Sequence, residues 1–527
     1  MSIYKRIAAA LTAAAVMLIT CGCSFNSDED KVISMDVESA PSTIDPQLAH
    51  SASELNVIRN TMSGLFRIAA DGSAEQSLCE SYTVSDDGIT YTFKVKSAKW
   101  SNGDDITADD FVFGITRALL PETKSPFASN LFCIKNGEKV YSGELDRSQL
   151  GISATDGRTV KITLEAKTPD LIYRLADSAA MPCNRAFFNE CKGKYGLSDD
   201  DMIYCGPFYV RSWDKTGLRM SRNSDYVAGK AKPSAVTMTF EYTSDERIDA
   251  ITKGVSDIAV IDAESEIKAK SAGLSTESIH NIVWTIIVNP ESNIAKTSSG
   301  ASALMKSLDR TVIEGVLPSG YSMFSGLIAP HQSVGGKRYV DYVNEYTQQS
   351  MDAAAAKQKY MQAVKENGDI GGSTLLYVDQ GQMNSVALKI ASCWQKNLDA
   401  YINTEGVTIE QMQKRIADGD YTVALYPIGY GKTTAKSVME QFVGNGNDNI
   451  FGINDTEFDG IMSSVEQCSD AGSKLAALLK SAETRLISTD LVCPVAISPL
   501  VATYTPTMTG QIFDLYHGNF DFAATGK

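Results

Sequence analysis

Between Leu375 and Tyr426 the chain switches repeatedly between two hydrophobic periods, and that alternation limits the folds open to it. Leu375 to Val378 reads as a strand. Asn384 to Leu398 places Val386, Ile390 and Trp394 on one helical face. Tyr401 to Val407 is a strand again. Thr408-Ile409-Glu410-Gln411 is a capping box that starts a helix to Ala417, and Tyr421 to Tyr426 returns to strand. An alanine-rich helix capped by Asp352 and ending at Asn367-Gly368 precedes them all. Strand–helix alternation of this kind predicts an α/β lobe with a partly parallel sheet.

The first half mixes strands with few helices. Val32 to Val37 alternates weakly, as a first strand would. Tyr82 to Lys96 is a hairpin turned at Asp87-Gly88, where glycine supplies the positive φ of a tight turn. A second turn follows at Ser101-Asn102-Gly103-Asp104. Thr107 then opens a helix, its hydroxyl placed to cap the first amides, with Asp109 and Asp110 at the positive end of the dipole. Phe111, Ile115 and Leu119 share a face of that helix, and Pro121 stops it. Further strands are predicted at Val160 to Glu165, from Gly206-Pro207-Phe208 to Trp213, and at Val236 to Tyr242. A chain of 527 residues exceeds what one core accommodates, so two or three lobes are expected.

Lys5-Arg6, the apolar run from Ile7 to Thr20, and Cys21-Gly22-Cys23 are the parts of an export signal. The run falls short of the roughly 20 apolar residues that span a bilayer. Gly22-Cys23 resembles a lipoprotein signal, in which the cysteine becomes the lipid-bearing first residue. Thr20 departs from the aliphatic preference of that pattern, and Cys21, with Leu18 three places before it, is the alternative. Residues 1–23 are therefore expected to be a signal and 24–31 a polar tether. The chain beyond the tether is expected to work outside the cytoplasm, held to the outer face of the membrane.

A net charge of -16 argues against binding phosphate backbones, so no nucleic-acid partner is expected. The cysteines beyond the signal form no C-x-x-C pair. Cys183 and Cys191 could bridge, or all could be buried thiols. Gly429-Tyr430-Gly431-Lys432-Thr433 follows a strand and ends as a phosphate-binding loop does, but Tyr426 stands where that loop needs glycine. A glycine-rich loop contacting a ligand fits better, with a surface turn as the other reading. His50, His280, His331 and His517 are far apart, and no G-x-S-x-G elbow occurs. Asn445-Gly446-Asn447-Asp448-Asn449 lacks the spaced acids of a calcium loop. No enzyme, metal or cofactor is called for.

Thr43-Ile44-Asp45-Pro46-Gln47, Ala98-Lys99-Trp100-Ser101-Asn102-Gly103-Asp104 with Thr107-Ala108-Asp109-Asp110-Phe111, and Ser125-Pro126-Phe127-Ala128-Ser129 come in order. Gly206-Pro207-Phe208, Leu308-Asp309-Arg310, Trp394-Gln395-Lys396-Asn397-Leu398, Phe458-Asp459 and Cys493-Pro494-Val495 come after them. Their joint order resembles the family 5 extracellular solute-binding proteins, the oligopeptide-binding lipoproteins of bacterial ABC importers. The resemblance implies an α/β, two-lobed periplasmic-binding-protein-like fold of class II type, with an additional subdomain in the first lobe. Residues 32–270 and 480–527 would form lobe I, with the subdomain inserted at about 63–185, and 271–479 would form lobe II. It implies a monomer that closes on a peptide and offers it to permease subunits. Ligand backbone would be held by added-strand pairing, with side chains in wet pockets.

Carried over by position, His50, Ser51 and Ala52 would pair with the ligand backbone, and Phe127 would wall the pocket. Trp284 to Asn289 would cross between lobes, with Asn289 on that strand. Ile428, Gly429, Tyr430, Gly431 and Lys432 would form the ligand loop. Asp309 and Arg310 would be structural, pairing within the lobe. The family's loop usually carries an aspartate for a peptide's free amine, whereas no acid lies between Tyr421 and Met439 here, only Lys432 and Lys436. The ligand is thus expected to present a neutral or anionic group to Gly431 and Lys432, unless Lys432 faces solvent. A non-peptide solute, or a sensor reading the closed form, are the alternative functions.

Overall fold

Two long strands carry the chain between two hydrophobic cores. The computed structural model describes residues 31–527 apart from Glu38, Asp71, Glu241, 347–349, 369–372, 380–382, Tyr430, Gly431, Thr433, Asn445, Asn447, Ser469 and 515–517. The export signal with Cys21 and Cys23, the tether up to residue 30, two positions of the ligand loop and His517 lie outside these described residues.

The main sheet is built from β1 (Val32–Val37), β2 (Phe208–Trp213), β3 (Leu218–Arg222), β4 (Ala235–Phe240), β5 (Ile258–Ile261), β6 (Ser275–Val288), β7 (Thr374–Val378), β8 (Asn403–Val407), β9 (Val423–Ile428) and β10 (Val492–Tyr504). Their order is β8-β7-β9-β6-β10-β5-β1-β4-β3-β2, with Ser322–Met323 pairing off β10. β7 is parallel to both β8 and β9, joined by the predicted helices Asn384–Leu398 and Ile409–Ala417. β1 is parallel to β4 and β5. The centre is antiparallel: β6 pairs with β9 on one side and β10 on the other.

One core gathers Met35, Phe93, Trp100, Phe111, Phe208 and Phe520. The other gathers Ile286, Leu376, Trp394, Leu425, Phe442 and Leu479. β6 gives Ile279 to the first and Val283 onward to the second, and β10 gives Ala502 to the first and Val492 to Ile497 to the second. The crossing therefore falls at about Ile279–Val283 and Ile497–Ala502. This corrects the expected divisions at 270 and 480, because residues 480–497 pack with the second core. The β6–β10 register slips between His280 and Ile282 and again between Trp284 and Thr285. Such bulges bend a strand; the first sits where the chain leaves one core for the other, and the second, with Val495 of β10 as the extra residue, lies just inside the second core.

A four-stranded antiparallel sheet, Cys79–Val84, Thr90–Val95, Thr159–Thr163 and Ile152–Asp156, stands apart in the first half. Its predicted hairpin turns at Gly88, with φ of +74°. The helix Ala108–Ala118 opens at Thr107 as expected, in a capping box with Asp110. The Asp110 carboxylate accepts the Thr107 N–H at 2.8 Å, the Thr107 hydroxyl at 3.2 Å and the Trp100 indole N–H at 3.2 Å. Cys183 and Cys191 are buried free thiols, as are Cys79, Cys205, Cys393 and Cys468. Among the described residues no helix is long and apolar enough to cross a membrane.

Candidate functional site

The loop after β9 lies on the seam between the cores because of one glycine. Ile428, buried, is the last residue of β9 and pairs with Val283 of β6. Gly429 then takes φ of +93°, and a Cβ there would sit 2.8 Å from the carbonyl oxygen of Asn281 at the β6 bulge. Only glycine fits both the dihedral and that approach. The Gly429 carbonyl accepts the Lys432 N–H at 3.2 Å, which folds the loop back. Thr434 next caps the helix Ala435–Glu440 by accepting the Ser437 N–H at 3.0 Å.

Lys432 does not face solvent. Its ammonium pairs with Asp448 at 2.9 Å and donates to the Ser129 hydroxyl at 3.2 Å. Ser129 belongs to the first lobe, in the 3-10 turn Ala128–Leu131 that follows Phe127. The counter-charge missing from the Tyr421–Met439 stretch is thus supplied from further along the chain. Burial pushes the Asp448 carboxyl up, but Lys432 and the hydrogen bond from Ser129 outweigh it and hold it below the ordinary carboxylate range.

His50, Ser51 and Ala52 lead into a helix. Ser51 is the N-cap of the helix Ala52–Thr61, in a full capping box with Glu54. The Glu54 carboxylate accepts the His50 N–H at 2.9 Å and the Ser51 N–H at 3.0 Å, so two of the amides expected to pair with ligand backbone are engaged within the chain. The His50 side chain is exposed. Phe127 is buried beside the Ser129 turn, on the seam.

Trp284 ties the two crossing strands together. Its indole N–H donates to the Ser498 hydroxyl at 3.1 Å, and its ring is buried. Asn289 lies at the other end of β6, away from the seam. Its amide donates to the carbonyls of Gly419 at 3.1 Å and Tyr421 at 2.8 Å, while its oxygen accepts the Glu291 N–H at 2.9 Å. Those bonds leave it no role toward a ligand in the seam. Asn289→Ala should cost about 1–3 kcal/mol by orphaning the buried Tyr421 carbonyl, and leave ligand affinity unchanged. Parallel urea unfolding and calorimetric titration check both halves.

Asp309 and Arg310 are structural but do not pair with each other. Asp309 accepts the Val312 N–H at 3.3 Å as a helix cap, and Arg310 donates to the Pro494 carbonyl at 2.5 Å.

Sequence reading missed Asp170 and Arg174, and Lys436 with Glu440, which meet across the seam. Each pair is spaced four apart, as ion pairs on a helix face are. Arg174 is paired with Asp170 at 3.1 Å and with Glu440 at 3.1 Å.

A family model described as bacterial extracellular solute-binding proteins, family 5 Middle, matches residues 74–450. The oligopeptide-binding protein OppA of Bacillus subtilis (strain 168) is 26% identical over 478 residues, covering 88% of this chain and 87% of its own. The probable deoxycholate-binding periplasmic protein YgiS of Escherichia coli (strain K12) is 24% identical over 486 residues, 90% of this chain and 89% of that one. The crystal structure of the substrate-binding domain of an oligopeptide ABC transporter from Bacillus anthracis str. Ames superposes with a TM-score of 0.79 at 24% identity. That superposition covers 94% of this chain and 98% of the other.

Proposed function

The chain belongs to the bacterial extracellular solute-binding proteins of family 5, and on that premise we propose that it captures peptides between its two lobes and passes them to the permease of an ABC importer. It is a monomer, held to the outer membrane face by lipid on Cys23, with Cys21 as the alternative. It transforms nothing it binds. The observation that carries the reading is the seam itself. Two strands cross it, one of them bulged at Asn281, and a loop on one side reaches a turn of the other through Lys432 and Ser129. A bulged two-strand crossing is where hinge closure would be absorbed.

Lys432 also bears on the ligand. The carboxylate that meets Lys432, Asp448, is already neutralised by that lysine. A buried ammonium without a counter-charge is costly, so the ligand presents a neutral or anionic group here rather than a free amine. Native mass spectrometry of the full chain purified from its membrane should reveal retained peptides and, in the same spectrum, the added mass of the lipid. A retained peptide and its acetylated twin should then bind alike. If the free-amine form binds about tenfold tighter, some 1.4 kcal/mol, the assignment of that end is wrong. Recovery of chemically altered cargo would overturn the transport reading altogether.

The deoxycholate-binding relative favours a second reading, the same clamshell taking a non-peptide solute. Retention of a small non-peptide mass would decide for it.

A further inference from the structure

A cavity of about 760 Å³ opens on the second lobe, and none of the seam residues described above lines it. One helix accounts for it. In Ser473–Ser488 the side chains of Leu475, Leu479, Ala482 and Leu486 are buried against the core. Ser473, Ala476, Ala477 and Lys480 follow each other at helical spacing on the neighbouring face, and the first three are too small to fill the space beside them. The segment 341–346 forms the other wall. Tyr342 reaches the start of the helix, its hydroxyl 3.5 Å from where a Cβ on Gly472 would stand. Tyr346 marks the other end. It packs on Phe324 with ring centroids 4.7 Å apart, over Gly326, where a Cβ would lie 2.4 Å from the ring.

The cavity's principal charges are already answered inside the protein. Asp341 pairs with Arg338 at 2.7 Å. Lys480 donates to Glu483 at 2.8 Å, with its ammonium 4.7 Å from the Tyr346 ring centroid. Glu483 is wholly buried and accepts the Leu327 N–H at 2.6 Å and the Ile328 N–H at 3.1 Å. An anion would have to draw Lys480 away and leave that carboxylate buried without its cation, which is heavily penalised. A cation would meet Glu345, an exposed carboxylate whose attraction water screens.

We propose that this cavity is a second binding site, separate from the gap between the lobes, and that it takes a neutral oligosaccharide. Half-buried Tyr342 and Val343 give it apolar surface, and exposed Asn344, Glu345 and Ser473 stand on its rim. An amide, a carboxylate and a hydroxyl together both donate and accept hydrogen bonds. A tyrosine serves an apolar face with its ring and a polar edge with its hydroxyl. A pyranose has that same division, with C–H groups on its faces and hydroxyls around its edge. The volume lies within the range of roughly 300–1,000 Å³ usual for small-molecule sites. From Ser473 to Lys480 the helix rises about 10 Å, which suits a short run of sugar units better than one. The site stands whether or not the lobes close on peptides.

Titrating the full chain with chitotetraose and maltotetraose, both neutral, and with an anionic hyaluronan tetrasaccharide tests this by saturation-transfer NMR. At least one neutral sugar should bind with a Kd of about 1 mM or tighter, and the anionic one about tenfold more weakly. Ala477→Tyr sets a ring into the cavity from an exposed helix position and should weaken the neutral sugar about tenfold or more. Asn344→Ala with Glu345→Ala strips two exposed rim groups and should also weaken it about tenfold. Thermal unfolding establishes that each variant folds, and the rim variant carries the test if Ala477→Tyr does not. Binding of none of the three sugars, tighter binding of the anionic one, or affinity for the neutral sugar unchanged in the folded variants would overturn the proposal. That last result would place the sugar elsewhere on the molecule.

Discussion

Arg117→Met should lower the stability of the first lobe by about 3–5 kcal/mol, the usual cost of breaking a buried pair from one side. The Arg117 guanidinium lies 2.6 Å from Asp45 and 2.7 Å from the Gln47 side-chain oxygen, and stacks over Phe188 at 4.1 Å. Both charged side chains are almost wholly buried. Methionine fills much of the space but leaves the Asp45 carboxylate without its cation in a place water does not reach. Asp45 also shapes the turn ahead of the Ser51 cap, since it accepts the Gln47 N–H at 3.1 Å. Urea unfolding followed through Trp100, which lies in the same core, measures the loss. Asp45→Asn added to Arg117→Met should recover part of it, because removing both charges leaves no orphan ion. A loss under about 1 kcal/mol, or no recovery in the double variant, would show that the pair is not what holds this turn.

The elements that the sequence discloses best are those whose signals are local. Thr408 and Gln411 exchange the bonds of a capping box at 3.1 and 3.3 Å, and Asp352 caps its helix by accepting the Ala355 N–H at 2.9 Å. Period and cap are both within one turn of chain, so β7, β8 and β9 and their helices are legible. Ser51-Ala52-Ser53-Glu54 is an equally local helix-start pattern, and Glu54 engages the His50 and Ser51 amides to which the family resemblance assigns a ligand role. Long-range partners leave no such trace. Trp284 and its acceptor Ser498 are 214 residues apart, and Lys432 meets Ser129 across 303. Nothing near Lys432 announces that Asp448 returns to neutralise it, since that depends on how the chain after the helix Ala435–Glu440 doubles back. The bulges, at Asn281 of β6 and Val495 of β10, are hidden for a related reason: each strand by itself reads as unbroken, and the register slips only when the two are paired.

Gly429 shows how much function can hang on one such long-range approach. Gly429→Ala adds a methyl 2.8 Å from the Asn281 carbonyl and forces a residue with a side chain to hold φ of +93°. The strain alone is worth about 1–3 kcal/mol, and the overlap must be relieved by moving either the β6 bulge or the loop. Moving the loop carries Lys432 away from Ser129, and moving the bulge changes the crossing between lobes. Either response alters closure. Peptide affinity should therefore fall by about ten- to a hundredfold, or 1.4–2.8 kcal/mol. Gly419→Ala is the matched control: φ there is +72°, and an added Cβ meets nothing within 4 Å. It should lose stability through the same backbone strain while binding peptide as the parent does. Calorimetric titration and thermal unfolding of both variants separate the two effects. Equal affinities in the pair would mean that the contact of Gly429 with Asn281 is packing alone, and that closure is set elsewhere on the seam.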